Sequence, residues 1–138
     1  MKDTLDEESR KALIRYRLGR ADETMEEVSI LSEQSHYNAA INRLYYACFY
    51  ATQALLLKYH ISANTHTGVK SMLGLHFITK NLISLEHGKT FSRLFELRHS
   101  GDYDDFAYCD KAMVDDFIPK AEAFIDEIRR VIGTEALL

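Results

Sequence analysis

Glycine and proline are scarce, with six and one among 138 residues. Such sparse punctuation is hard to fit to a many-stranded sandwich or barrel and easy to fit to long helices. Cysteine is nearly absent too. Cys48 and Cys109 have no short metal-like spacing and lie in apolar sequence, so they read as buried core thiols in a reducing compartment, with a disulfide between them formally open. No long hydrophobic run exists: the longest, Leu44 to Leu57, has 14 residues and includes Thr52 and Gln53, too short to span a bilayer. The amino-terminal residues lack the apolar stretch of a secretory signal, so the expectation is a cytoplasmic protein without membrane contact. A strong positive excess is missing as well. The net charge of -4 excludes a global cationic field of the kind that draws proteins to nucleic acid or anionic lipid.

What is present is enough apolar and aromatic material to fold: 46% hydrophobic residues, eight Tyr and seven Phe. The length suits one domain, residues 1–138. Charge is uneven along it. Residues 31–90 hold two acids and five bases, whereas residues 91–138 hold eleven acids and six bases. The middle therefore reads either as a local polyanion site or as a buried central helix that needs few charges.

Periodicity predicts a first helix from Glu7 to about Leu31, with Leu13, Tyr16, Ala21, Met25, Val28 and Leu31 inward. A second follows from His36 or Tyr37 to Tyr59 with Ser35 as its cap. Ile41, Leu44, Cys48, Ala51 and Leu55 line one face of it, and Tyr45, Tyr46, Phe49, Tyr50, Leu56 and Leu57 widen the apolar surface, so it belongs in the centre. His60 to His66 reads as a loop. A third helix is expected from Thr67 to Ser84, burying Val69, Leu73, Phe77, Ile78 and Leu82, and a fourth from Thr90 to Ser100, stopped by a left-handed Gly101. The last begins after Phe106 and carries Cys109, Ala112, Met113 and Phe117 at helical intervals; Pro119 either kinks it near Asp115 or starts a new helix. The expected fold is all-α, an up-and-down bundle of four to five helices.

Dinucleotide, phosphate-loop, zinc-protease, nucleophile-elbow and calcium-loop patterns are all missing, and His36, His60, His66, His76 and His87 are scattered without ligand spacing, so neither metal nor cofactor is expected. Two places stand out. Asn42 and Arg43 are polar residues set into the most hydrophobic helix, where a guanidinium must reach solvent or be paired, for example by helix-end carbonyls or by Asp102. Arg98, His99, Asp102 and Tyr103 gather at a helix end and turn. There Arg can clamp a phosphate, His can move a proton near neutral pH, and Tyr can hydrogen-bond or stack on a base. The bland alternative pairs Arg98 with Asp102 or Asp105 and uses Tyr103 as packing.

Together, Asn42-Arg43-Leu44-Tyr45-Tyr46-Ala47 and Arg98-x-x-Gly101-Asp102-Tyr103 resemble the signatures of small stand-alone HEPN domain proteins, and the similarity runs over almost the whole chain. The resemblance implies a helical bundle, homodimerisation, and either metal-independent RNA cleavage or partnership with a minimal nucleotidyltransferase in a toxin and antitoxin pair. The ribonuclease branch has Arg, a polar neighbour, and His after four to six intervening residues. Arg98 and His99 match the first two positions, but the window holds Tyr103, Asp104 and Asp105 and no His. Tyrosine, with an ordinary pKa of about 10, is a poor base near neutral pH. Arg93 and His99 satisfy the spacing formally, yet lie roughly 120 degrees apart around a helix. The tyrosine that a partner nucleotidylates in related branches corresponds to Asp105, so Tyr103 does not inherit that role. The expected function is an RNA- or nucleotide-linked binding or partner module using Asn42, Arg43, Asp102 and Tyr103. The alternatives are a metal-independent endoribonuclease with Arg98 and His99 as catalytic groups, and a non-catalytic structural dimer.

Overall fold

The computed structural model describes residues 5–103 and 108–133, the side chains of 99–103 apart. Its helices are α1 (Glu7–Glu33), α2 (Tyr37–Lys58), α3 (His66–Leu73), α4 (Leu85–Tyr103) and α5 (Lys111–Ile132), with a π-helical turn, Gly74–Ile78, continuing α3. The all-α expectation is met, and no strand occurs among the described residues.

Helix starts follow from short polar side chains. Asp6 accepts the Ser9 N–H at 2.7 Å, Thr65 the Gly68 N–H at 2.9 Å, and Asp110 the Met113 N–H at 2.9 Å, each satisfying a donor that the first turn leaves orphaned. Helix ends follow a second rule. Ser35, His60 and Asn81 all take positive φ near 60°, and the following N–H reaches back five residues: His36 to Leu31, Ile61 to Leu56, Leu82 to Phe77. Ser35 thus closes α1 instead of capping α2, whose N-cap, His36, makes no side-chain bond.

Other boundaries move for physical reasons. The π turn inserts an extra residue into the helical register. The helix then closes at the left-handed Asn81 instead of running to Ser84, and in the turn that follows Ile83 is fully buried where Leu82 was expected, while Leu82 is exposed. Helix α4 starts five residues early, where the Ser84 hydroxyl accepts from the His87 N–H, and it continues through Gly101 to Tyr103 without the predicted stop. Cys109 precedes α5; its N–H donates to Asn38 Oδ1 at 2.8 Å, and its side chain is only half-buried. Pro119 lies inside one continuous α5, on its exposed side, so no new helix begins there. On α1 the buried stripe is Arg10, Ile14, Leu18, Ala21, Thr24 and Val28, and the predicted Tyr16 faces solvent.

Helix α2 is the central element, as its composition requires. It packs on α1, α4 and α5, and buries Ile41, Leu44, Tyr45, Cys48, Ala51 and Leu55 completely or nearly so. Burying a side chain such as Leu44 or Leu55 stabilises by about 1.5–3 kcal/mol. Arg129 ties α5 to α1, donating to Asp22 at 2.6 Å. No described helix is long and apolar enough to cross a membrane.

Candidate functional site

The half-buried edge of α2 meets α4 and the start of α3 in a cluster of cations and rings. Tyr45 and Tyr46 are consecutive, so the helix turns them to different sides. Tyr45 points inward and is fully buried, whereas Tyr46 stays at the rim. Arg98, on α4, donates from Nη2 to the Tyr46 hydroxyl at 3.2 Å. Its guanidinium lies 5.7 Å from the Tyr46 ring centre and 5.8 Å from that of Tyr45. Arg43 approaches the same Tyr46 ring at 4.8 Å, so two guanidinium groups share one aromatic side chain.

Asn42 and Arg43 satisfy one another: Asn42 Oδ1 accepts from Arg43 Nε at 3.3 Å and Nη2 at 2.9 Å. A neutral amide and a ring therefore hold Arg43, which keeps its full positive charge at the rim. This differs from the carboxylate or helix-end pairing that the sequence offered. Arg93 lies apart from the cluster and is bonded to Glu96 at 3.4 Å. The backbone of His99, Asp102 and Tyr103 belongs to the last turns of α4, but their side chains, like Asp104 and Asp105, lie outside the described residues. The predicted site residues that come together are thus Asn42, Arg43 and Arg98.

Sequence reasoning missed His66 and the part played by the two tyrosines. His66 is the first residue of α3, positioned by the Thr65 cap. Gly68 makes that cap fit, because a Cβ there would stand 2.9 Å from Thr65 Oγ1. The imidazole stacks on Phe49 with ring centres 4.4 Å apart, and its Nδ1 is 2.8 Å from the Tyr45 hydroxyl. Burial pushes the Tyr45 phenol well above its ordinary range, so it stays protonated and can donate to that nitrogen. The ring of Tyr46 lies edge-on to His66 at 5.7 Å. The signal available in sequence was only positional: a histidine directly after a capping threonine, opposite a tyrosine-rich helix.

Chemically, the cluster offers permanent cations, an imidazole and aromatic faces in one half-buried place. Such a set suits a phosphate with an attached base: guanidinium binds the anion, rings stack, and imidazole can exchange a proton. Lys70 adds another cation nearby, 4.9 Å from the Phe95 ring. No group of three or more His, Cys, Asp or Glu side chains able to hold a metal ion occurs among the described residues.

Comparison with known proteins matches residues 14–131 to the model of the HEPN domain. A UPF0332 protein of Thermotoga maritima is 35% identical over 123 residues, covering 89% of this chain and 93% of that protein. Two proteins of Methanocaldococcus jannaschii, each named a putative toxin, are 31% and 26% identical, covering 81% and 86% of this chain and 83% and 81% of their own lengths.

Proposed function

Because the chain belongs to the HEPN family, we propose that it acts as an RNA- or nucleotide-linked binding module centred on Arg98, Arg43 and Tyr46, in a toxin and antitoxin setting. The names of the Methanocaldococcus relatives support that setting. The observation that carries the reading is the pair of guanidinium groups sharing the Tyr46 ring, one of which, Arg43, is held by the neutral Asn42 amide. A cation bound to a neutral partner retains its attraction for a phosphate. Asp102 and Tyr103 extend this site in the proposal, and the assembly is a homodimer with a minimal nucleotidyltransferase as its partner.

Titration calorimetry of the purified protein with nucleotides and short RNAs tests the reading. Arg98→Ala and Arg43→Ala should each weaken binding about ten-fold or more, the loss of roughly one charge-assisted hydrogen bond. Absence of binding in the wild type, or binding unchanged in both variants, would sink it.

A second reading, metal-independent RNA cleavage, gains support from His66. The motif histidine is missing from the chain, yet an imidazole stands beside the Arg98 and Tyr46 pair. In that case His66 or His99 takes the proton of a 2′-hydroxyl as its oxygen attacks phosphorus, the bond from phosphorus to the 5′-oxygen breaks and that oxygen leaves with a proton from water, while Arg98 neutralises the phosphorane-like charge. Cleavage of single-stranded and structured RNAs in chelator, lost in Arg98→Ala and in either His66→Ala or His99→Ala, is the expected result. No cleavage at high protein concentration removes this reading and leaves binding ahead.

A further inference from the structure

Beyond the Arg98 cluster, a furrow between α1 and α2 continues the same chemistry. On α2, Arg43, Tyr46, Tyr50 and Gln53 share one face, and the facing stripe of α1 holds Arg20, Arg17 and Arg10. The helices run antiparallel, so each step back along α1 meets a step forward along α2. Arg20 lies 5.3 Å from the Tyr50 ring, Arg17 and Gln53 line one cavity of about 210 Å³, and Arg10 donates to the Leu57 carbonyl at 2.9 Å. The rings of Tyr46 and Tyr50 are 6.0 Å apart, forming a short aromatic path between the guanidinium groups. Acids on this stretch of α1 include Glu23, already bonded to Arg20 at 2.9 Å, Glu27, half-buried two turns beyond Arg20, and Glu7 at the far end, 4.0 Å from Arg10 and 3.8 Å from His60.

One pair in the furrow is poorly settled. Arg17 Nε and Gln53 Oε1 are both shut away from solvent with no hydrogen-bond partner, a costly arrangement for a donor and an acceptor in the same cavity. Turning the Arg17 side chain outward to a phosphate relieves the first and uncovers the second. The uncovered carbonyl oxygen is an acceptor; base N–H groups can donate to it on either kind of strand, and the donor that RNA alone adds is the ribose 2′-hydroxyl. From Arg43 to Gln53 the path is about 15 Å long, enough for roughly three nucleotides of single strand.

We propose that the α1–α2 furrow is a track for single-stranded RNA leading away from the Arg98 cluster, with Arg20 and Arg17 taking successive phosphates and Gln53 reading a 2′-hydroxyl. The inference rests on the RNA-directed reading of the Arg98 site and adds a substrate class: a strand several nucleotides long, ribose preferred over deoxyribose.

Fluorescence anisotropy with labelled dinucleotide, hexanucleotide and dodecanucleotide, in RNA and matched DNA forms, tests the track on the intact protein. Wild type should bind the RNA hexamer about ten-fold more tightly than the dinucleotide. The Arg17→Gln/Arg20→Gln variant should lose that length gain while binding the dinucleotide as before. Gln53→Met should keep DNA affinity and lose the RNA preference. Circular dichroism melting confirms that each variant is folded. Equal affinity at all lengths, a length gain that survives Arg17→Gln/Arg20→Gln, or equal affinity for duplex RNA overturns the track while leaving the Arg98 site intact. Failure of every oligonucleotide to bind overturns the Arg98 reading and the track together.

Discussion

Tyr46 joins the two arginines, and its hydroxyl and ring do separable things. Tyr46→Phe keeps the ring and removes the acceptor for Arg98, which should cost about 1 kcal/mol of stability in denaturant unfolding; Tyr46→Leu, losing both, should cost more. His87 gives a pH handle elsewhere. Burial, helped by the Arg130 charge, holds its imidazole below the ordinary value of 6.5, with Glu86 opposing weakly. The folded state therefore binds fewer protons there than the unfolded chain does, so stability falls as pH drops below about 6.5 and stops falling once the folded imidazole is protonated. Thermal melts between neutral and mildly acidic pH should show this fall reduced in His87→Gln. Of the candidate site, Asn42 and Arg43 were legible because a polar pair in an apolar helix demands explanation, and Arg98 because it stands with other polar residues at a helix end. His66 was not, since its meaning depends on Phe49 and Tyr45, which lie far from it along the chain.

Helix ends show a stability reserve. Ser35 and Asn81 both take the left-handed conformation, which asparagine tolerates better than serine. Ser35→Gly should therefore stabilise by about 1 kcal/mol and Asn81→Gly by less, measured as shifts in the unfolding midpoint. Pro119 is the opposite case: it denies α5 one backbone donor at an exposed position, and Pro119→Ala should raise the melting temperature. The five helices were legible because their apolar spacing is strong, and the boundaries were less so. Gly101 resembled a stop, yet glycine has no obligation to leave a helix, and α4 runs through it. The π turn escaped notice because an inserted residue leaves no compositional mark, and the helix end before Leu82 and Ile83 did so because the left-handed residue there is Asn81, not a glycine.

The molecule as a whole is acidic, whereas the furrow proposed as an RNA track is lined by arginines. With the guanidinium groups of Arg98, Arg43, Arg20 and Arg17 along one furrow, affinity for a single-stranded dodecamer should fall with a log–log salt slope of roughly -2 to -3, as about 0.7 counterion is released per neutralised phosphate. A flat salt dependence would argue that stacking, not charge, holds the strand. The lack of tryptophan has a bearing here, because all near-ultraviolet absorption of the folded chain then comes chiefly from its eight tyrosines. Tyr46 absorbs in the field of two guanidinium groups, where Tyr45 and Tyr50 each have one within about the same distance. A phosphate that draws those guanidinium groups away changes that field. The site thereby supplies its own chromophore, and its occupancy becomes legible as a tyrosine difference spectrum without any attached dye.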